Sequence, residues 1–242
     1  MAISGGGESF VRAPFLASLT PAERGDLRAH GRQRRWPRGA VMCVEGEMAQ
    51  WVAVLLSGIV KASRYTDDGR EVVLGIQGAG TLVGEVEAAD GKLRHATVHA
   101  LEPVTALVVS HADFDDFLRT HNGAARLFLH ALCERLRDAD DKRAEYGACD
   151  TTRRVAYRLA ELAARFGEPD DQGVRISIAI TQDELASWAG SSREAASKAL
   201  RVLRRRGWIE TGRRTVVVRS PAALGVLNGS AWPTPAPISA EG

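Results

Sequence analysis

Between Ser191 and Arg219 the cations Arg193, Lys198, Arg201, Arg204, Arg205, Arg206, Arg213, Arg214 and Arg219 face only two carboxylates, Glu194 and Glu210, a local charge of +7 in a chain whose formal net charge is +2. An excess of that size is the electrostatic footprint of a phosphate-binding surface. A second group of chemically capable residues lies upstream. His95 and His99 are four apart in a strand-like run, so their side chains face one way, and Glu85, Glu87 or Glu102 could complete a metal site. Histidines so placed are more often a polar strand face. Cys43, Cys133 and Cys149 are odd in number, scattered and outside any C-x-x-C spacing, which supports neither a disulfide framework nor a thiolate metal cluster. The sequence carries no Ser/His/Asp arrangement, P-loop or dinucleotide fingerprint.

The elements that must position the basic residues are legible. Thr181-Gln182-Asp183-Glu184 has capping-box spacing and opens a helix with Leu185, Trp188 and Ala189 on its apolar stripe. Gly190 interrupts it, and Ser191-Ser192-Arg193-Glu194 starts a second helix whose Ala196, Ala199, Leu200 and Leu203 fall at core spacing. Arg193, Glu194, Ser197, Lys198 and Arg201 lie largely on its other faces. Trp208-Ile209-Glu210, Thr211-Gly212-Arg213-Arg214 and Thr215 to Val218 then read as a hairpin with a basic tip, a wing.

Upstream, Thr20-Pro21-Ala22-Glu23 caps a short helix running toward His30. From Gly39 to about Ser110 short strand-like runs follow: Trp51 to Leu56, Gly58 to Tyr65, Glu71 to Gln77, Ala96 to Leu101 and Val104 to Val109. Asp67-Asp68-Gly69 marks a hairpin, and many short strands with glycine punctuation predict a small barrel or jelly roll. Past His111 the period lengthens. Ala125, Leu129, Leu132, Leu136, Ala139, Arg143 and Tyr146 alternate spacings of four and three, one seam of a long helix. With Glu134, Arg135, Arg137, Asp138, Asp141 and Lys142 as charged flanks, that seam either packs on the barrel or pairs with its twin, and the alternating pattern favours pairing. A further helix runs from about Thr152 to Phe166, and the proline-bearing stretch from Gly229 to Gly242 reads as a disordered tail.

The chain has 242 residues, 45% of them hydrophobic and 26% charged, which supplies a substantial core and argues against wholesale disorder. No apolar run approaches the roughly 18 residues of a membrane span, and the opening Met1-Ala2-Ile3-Ser4-Gly5-Gly6-Gly7 lacks the parts of a secretion signal. A cytoplasmic location without membrane contact is the expectation.

Ile180-Thr181-Gln182-Asp183-Glu184-Leu185-Ala186, followed by Gly190-Ser191-Ser192-Arg193-Glu194 and Lys198, resembles the winged helix-turn-helix of the CRP/FNR family of bacterial transcription regulators. Gly80-Thr81-Leu82-Val83-Gly84-Glu85 and Arg94-His95-Ala96 resemble, in part, that family's phosphate-binding cassette. The resemblance implies an α+β chain: a jelly-roll sensor barrel over 14–118, a dimerisation helix over 119–148, a winged helix-turn-helix over 149–228 and a tail over 229–242. It implies that Arg193, Glu194 and Lys198 read base edges, the arginine fork addressing guanine and the carboxylate accepting from cytosine, while Thr181, Ser192, Arg213 and Arg214 hold phosphates.

In the sensor it implies that Gly84, Glu85, Arg94, His95 and Ala96 form the cassette for cyclic AMP or cyclic GMP, completed by Ala139 and Asp140 of the long helix. Glu85 would take a ribose hydroxyl and Arg94 the cyclic phosphate. His95 stands where a Ser or Thr is usual, Ala139 and Asp140 replace purine-reading groups, and Glu87 adds a negative charge near an anionic ligand. The alternative is a Glu85–Arg94 charge pair that props the cassette without ligand. The expected partners are a second copy joined through Leu129, Leu132, Leu136 and Ala139, a palindromic double-stranded operator, and RNA polymerase. A cupin-like metal-dependent barrel enzyme with an accessory basic domain is the competing class, and no haem or iron–sulfur ligand set is evident.

Overall fold

The computed structural model describes residues 14–178, 180–212 and 215–228. The expected tail and the wing-tip residues Arg213 and Arg214 lie outside them. Two compact units divide the chain, one ending at Ala148 and the other taking in everything from Cys149 on.

The first unit opens with α1 (Phe15–Ser18) and α2 (Pro21–His30), the latter started by a Thr20–Glu23 capping box. The strands β1 (Arg32–Trp36), β2 (Val41–Cys43), β3 (Trp51–Ser57), β4 (Val60–Tyr65), β5 (Glu71–Gln77) and β6 (Leu82–Val83) follow. After α3 (Glu85–Asp90) come β7 (Thr97–Ala100), β8 (Val104–Ser110), α4 (His111–Thr120) and α5 (Asn122–Ala148). Two antiparallel sheets, β1-β8-β3-β6 and β2-β7-β4-β5, make the jelly roll. Leu55, Val60, Ala62, Val98 and Ala106 pack together as one core, while Val52, Val54, Leu107, Phe114 and Phe128 pack the first sheet against the helices. Because β3 is buried on both faces, it reads as a continuous apolar run rather than an alternating one.

α5 carries two heptad stripes. Ala124, Phe128, Ala131, Arg135, Asp138 and Lys142 turn toward the barrel, with Ala124, Phe128 and Lys142 buried. Lys142 Nζ donates to Leu74 O at 2.6 Å and meets Asp138 Oδ2 at 2.8 Å. Arg135 and Lys142, expected on the solvated flanks, therefore hold the barrel, Arg135 through Glu85 and Lys142 through Leu74 O, while Asp138 pairs with Lys142 along the helix. One residue along, Leu129 and Leu136 are 61% and 64% exposed. Leu132, expected on that same open seam, instead leans on the barrel core.

The second unit comprises α6 (Thr151–Phe166), β9 (Gly167–Asp170), β10 (Gly173–Ile176), α7 (Gln182–Trp188), α8 (Arg193–Arg205), β11 (Ile209–Gly212), β12 (Thr215–Val218) and α9 (Pro221–Asn228). Its antiparallel sheet has the order β11-β12-β10-β9. Val155, Leu159 and Leu162 of α6, Trp188 of α7 and Leu200 and Leu203 of α8 are buried. The wing hairpin pairs Ile209 with Val218 and Gly212 with Thr215.

Candidate functional site

In the helix-turn-helix, Thr181 Oγ1 accepts from Glu184 N at 3.1 Å, while the Glu184 carboxylate accepts from Thr181 N at 2.7 Å, closing the capping box. Gly190 takes φ +58°, a left-handed turn that favours glycine, and Ser192 Oγ accepts from Ala195 N to start α8. Both hydroxyls remain on exposed residues. Arg193, Glu194, Lys198 and Arg201 are exposed opposite the buried Ala196, Ala199, Leu200 and Leu203.

Arg193 Nε stands 3.4 Å from Asp183 Oδ1 with both side chains well exposed, a weak and exchangeable pair. The backbone amide of Glu194, then the Ser192 hydroxyl, lowers the Glu194 pKa and keeps it an acceptor carboxylate. Ser197 Oγ donates to Gln182 Oε1 at 3.1 Å, and Arg204 Nη1 donates to Thr211 Oγ1 at 3.0 Å, tying α8 to α7 and to the wing. Arg204 and Arg219, the latter 2.5 Å from Glu210, thus serve the module's own structure as well as its charge.

One positioning residue carries no mark in the sequence. Arg154 of α6 donates from Nε to Ala189 O at 2.7 Å and from Nη2 to Gly190 O at 3.2 Å, clamping the turn between α7 and α8. An arginine on an amphipathic helix gives no sequence signal of such a distant role.

In the sensor, Gly84 takes φ +84° at the start of α3, and a Cβ there would overlap Arg94 Nη1. Glycine is required on both counts. The Arg94 guanidinium, 3% exposed, donates to Trp51 O at 2.7 Å, lies 4.2 Å from the Trp51 ring centroid and meets Glu87 Oε2 at 3.2 Å. Glu87, 2% exposed, uses its other oxygen for His95, accepting from the backbone N–H at 2.9 Å and standing 2.5 Å from ring Nδ1. Burial pushes the Glu87 carboxyl up, but the His95 ring and backbone hydrogen bonds together with the His95 charge outweigh it and hold it at about 2.

Glu85 does not pair with Arg94: its Oε1 lies 2.7 Å from Arg135 Nε. The expected prop is therefore two pairs, Arg94–Glu87 and Arg135–Glu85, because α3 turns successive glutamates toward different neighbours. Ala96 is buried in the barrel core, while Ala139 and Asp140 lie exposed on α5, Asp140 being 3.8 Å from Arg143. Among the described residues no group of three or more His, Cys, Asp or Glu is arranged to hold a metal ion. His95 and Glu87, two of the residues offered for the metal site, meet each other through the His95 ring.

A small jelly roll with a phosphate-cassette-like loop, followed by a winged helix-turn-helix, defines a ligand-sensor type of DNA-binding regulator. Residues 33–121 match the family described as cyclic nucleotide-binding domain, and residues 153–227 match the Crp-like helix-turn-helix domain. The chain is 30% identical over 212 residues to a cyclic AMP receptor protein of Thermus thermophilus, covering 88% of this chain and 95% of that one. It is 29% identical over 217 residues to a CRP-like cAMP-activated global transcriptional regulator of Mycobacterium tuberculosis, covering 90% of this chain and 97% of that one. Among solved structures, the c-di-GMP-responsive global regulator CLP of Xanthomonas campestris superposes with a TM-score of 0.69 at 26% identity, covering 82% of this chain and 99% of that one. The chain belongs to the CRP/FNR family of transcription regulators. The cupin-like enzyme finds no support in these matches.

Proposed function

We propose that this regulator is a cytoplasmic homodimer, without enzymatic activity, that reads a palindromic operator through α8 and engages RNA polymerase at the promoter. The observation that carries the reading is the exposed face of Arg193, Glu194 and Lys198 on a helix whose opposite face is buried and whose start is fixed by the Ser192 cap. Arg193 addresses guanine, Glu194 accepts from cytosine, and Thr181, Ser192, Arg213 and Arg214 hold phosphates and set the register. Leu129, Leu136 and Ala139 of α5 supply an exposed seam for a twin helix, with Leu132 at its edge.

Cyclic AMP or cyclic GMP is the ligand class that the sensor fold fits, bound weakly or not at all, with DNA binding largely retained in the free protein. His95, Ala139 and Asp140 stand where the family resemblance calls for hydroxyl or amide groups, and each hydrogen bond lost to a charged group weakens binding by about 1.5–3 kcal/mol. Selection of duplexes from a random-sequence pool with the purified full-length protein tests the function. A palindromic consensus recovered by the wild type and lost by Arg193→Ala with Lys198→Ala is expected; recovery of no consensus by the wild type sinks the reading.

A further inference from the structure

The sensor's phosphate-binding arginine already holds an anion, and that anion belongs to the chain. We infer that Glu87 is the specificity-determining residue of the sensor: it fills the place of an effector phosphate on Arg94, excludes anionic ligands from that guanidinium, and frees DNA binding from cyclic-nucleotide control. This rests on the sensor reading given under Proposed function and goes further by assigning its specificity to one residue.

Three observations carry it. Glu87 and Arg94 each have side chains 2% exposed, and their 3.2 Å contact places a carboxylate against a guanidinium away from water, where charge pairing is strong. Arg94 is also held on its other sides, by Trp51 O at 2.7 Å and by the Trp51 ring, so turning it toward an incoming phosphate would break three interactions at once. Glu87 is anchored in its turn, its second oxygen accepting from the His95 backbone at 2.9 Å and lying 2.5 Å from the His95 ring. His95 thus acts on Glu87, in contrast to the family hydroxyl that would act on ligand.

Among the described residues, Cys43, His111 and Glu85 do not take over the role of Glu87. Cys43, pushed up to about 11 chiefly by burial, stays a neutral thiol, and His111 is lowered, first by burial and then by the Arg94 charge. Glu85 is engaged with Arg135. A phosphate arriving at Arg94 would meet the Glu87 carboxylate at the same guanidinium, and two anions cannot share one buried cation without a large repulsion. Removing Glu87 leaves a buried cation without its counter-ion, a vacancy that an anion from solution can fill.

The test uses the full-length protein, its Glu87→Gln variant, which keeps the shape and removes the charge, and Glu87→Ala. Calorimetric titration with cyclic AMP is expected to give wild-type binding weaker than 100 µM and at least a tenfold gain in either variant, abolished by adding Arg94→Ala. Inorganic phosphate is expected to raise the melting temperature of the variants and not of the wild type. Should a variant fail to fold in plain buffer, recovery of its melting transition in phosphate supports the inference and no recovery counts against it. Wild-type affinity tighter than 100 µM overturns it, as do folded variants without the gain. Cyclic AMP should also change wild-type affinity for the selected duplex by less than threefold; a larger change overturns the claim of independence. If the wild type selects no duplex while the Glu87 gain appears, the DNA-binding reading falls and the assignment of Glu87 stands.

Discussion

Glu87 and Arg193 show how the same charge chemistry serves opposite ends when burial differs. Arg193 meets Asp183 in water, so the pair is weak and exchangeable, whereas Arg94 meets Glu87 out of water and the pair is a fixture. Replacing Arg193 by Ala is expected to cost about 1–3 kcal/mol on the selected operator and to relax specificity at one base pair. Equal losses on operator and random duplex, measured by fluorescence anisotropy, would contradict a base-reading role. For Glu87 the expectation concerns pH. Its folded-state pKa of about 2 lies below the usual 4.5, so the carboxylate contributes stability that is fully present above 4.5 and disappears as pH falls toward 2. At about 1.4 kcal/mol per unit the whole leg amounts to about 3 kcal/mol, of which about 1 kcal/mol has gone by pH 3.5. Urea unfolding at pH 7 and 3.5 reads it: Glu87→Gln should lose about 1 kcal/mol less than wild type over that interval. An identical loss in both would show that Glu87 titrates alike in the folded and unfolded chain. The sequence puts the Glu87 charge near the anion site and a glutamate prop on Arg94, but it names Glu85 for the prop, because which glutamate reaches Arg94 depends on how α3 is rotated.

At the scale of elements, the parts with strong internal pattern were readable and the parts held by their neighbours were not. β5 matches its expected run of Glu71 to Gln77, and the capping boxes at Thr20 and Thr181 form as their spacing implies. β1 escaped because Arg32, Gln33, Arg34 and Arg35 are all exposed on an edge strand paired only with β8, so no apolar alternation marks it. β9 and β10 escaped because Gly167-Glu168-Pro169-Asp170 reads as a loop and becomes a strand only through its pairing with β10. The sequence shows the long helix but only one of its two stripes. Its barrel-facing stripe turns charged after Ala131, and nothing local in the sequence shows that Arg135 finds Glu85, that Lys142 finds Leu74 O, or that Asp138 pairs with Lys142. The remaining stripe, rotated by about 100°, makes a specific prediction about assembly. Leu129 and Leu136 are exposed and can be changed without touching the barrel, whereas Leu132 also serves the fold. Leu129→Asp with Leu136→Asp is expected to halve the mass in analytical ultracentrifugation and leave the circular dichroism spectrum intact; an unchanged mass would place the interface elsewhere.

For the whole molecule, the decisive consequence of the proposed pairing of two copies is geometric. In the proposed homodimer each protomer would present one α8, and a two-fold axis would turn two such helices into a reader of two inverted half-sites, with centres about 34–36 Å apart along the duplex. Affinity then depends on helical phase as well as on base identity. Inserting five base pairs between the half-sites rotates one of them by about half a turn, since a full turn takes about 10.5 base pairs. The second α8 would then face the far side of the DNA. Such an insertion is expected to reduce affinity to that of a duplex carrying a single half-site, while inserting ten restores phase and gives back part of the loss. Arg213 and Arg214, expected at the wing tip, add a separate electrostatic signature: two cations per half-site at about 0.9 released counterions each should make the log-affinity versus log-salt slope shallower by about 3–4 when both are replaced by Ala. The two experiments separate reading from holding. Losing the wing arginines should weaken operator and random duplex alike, whereas the five-base-pair insertion should weaken only the operator. An operator that tolerates the insertion without loss would mean that each α8 reads its half-site independently of the other, and the two-fold arrangement would have to be abandoned.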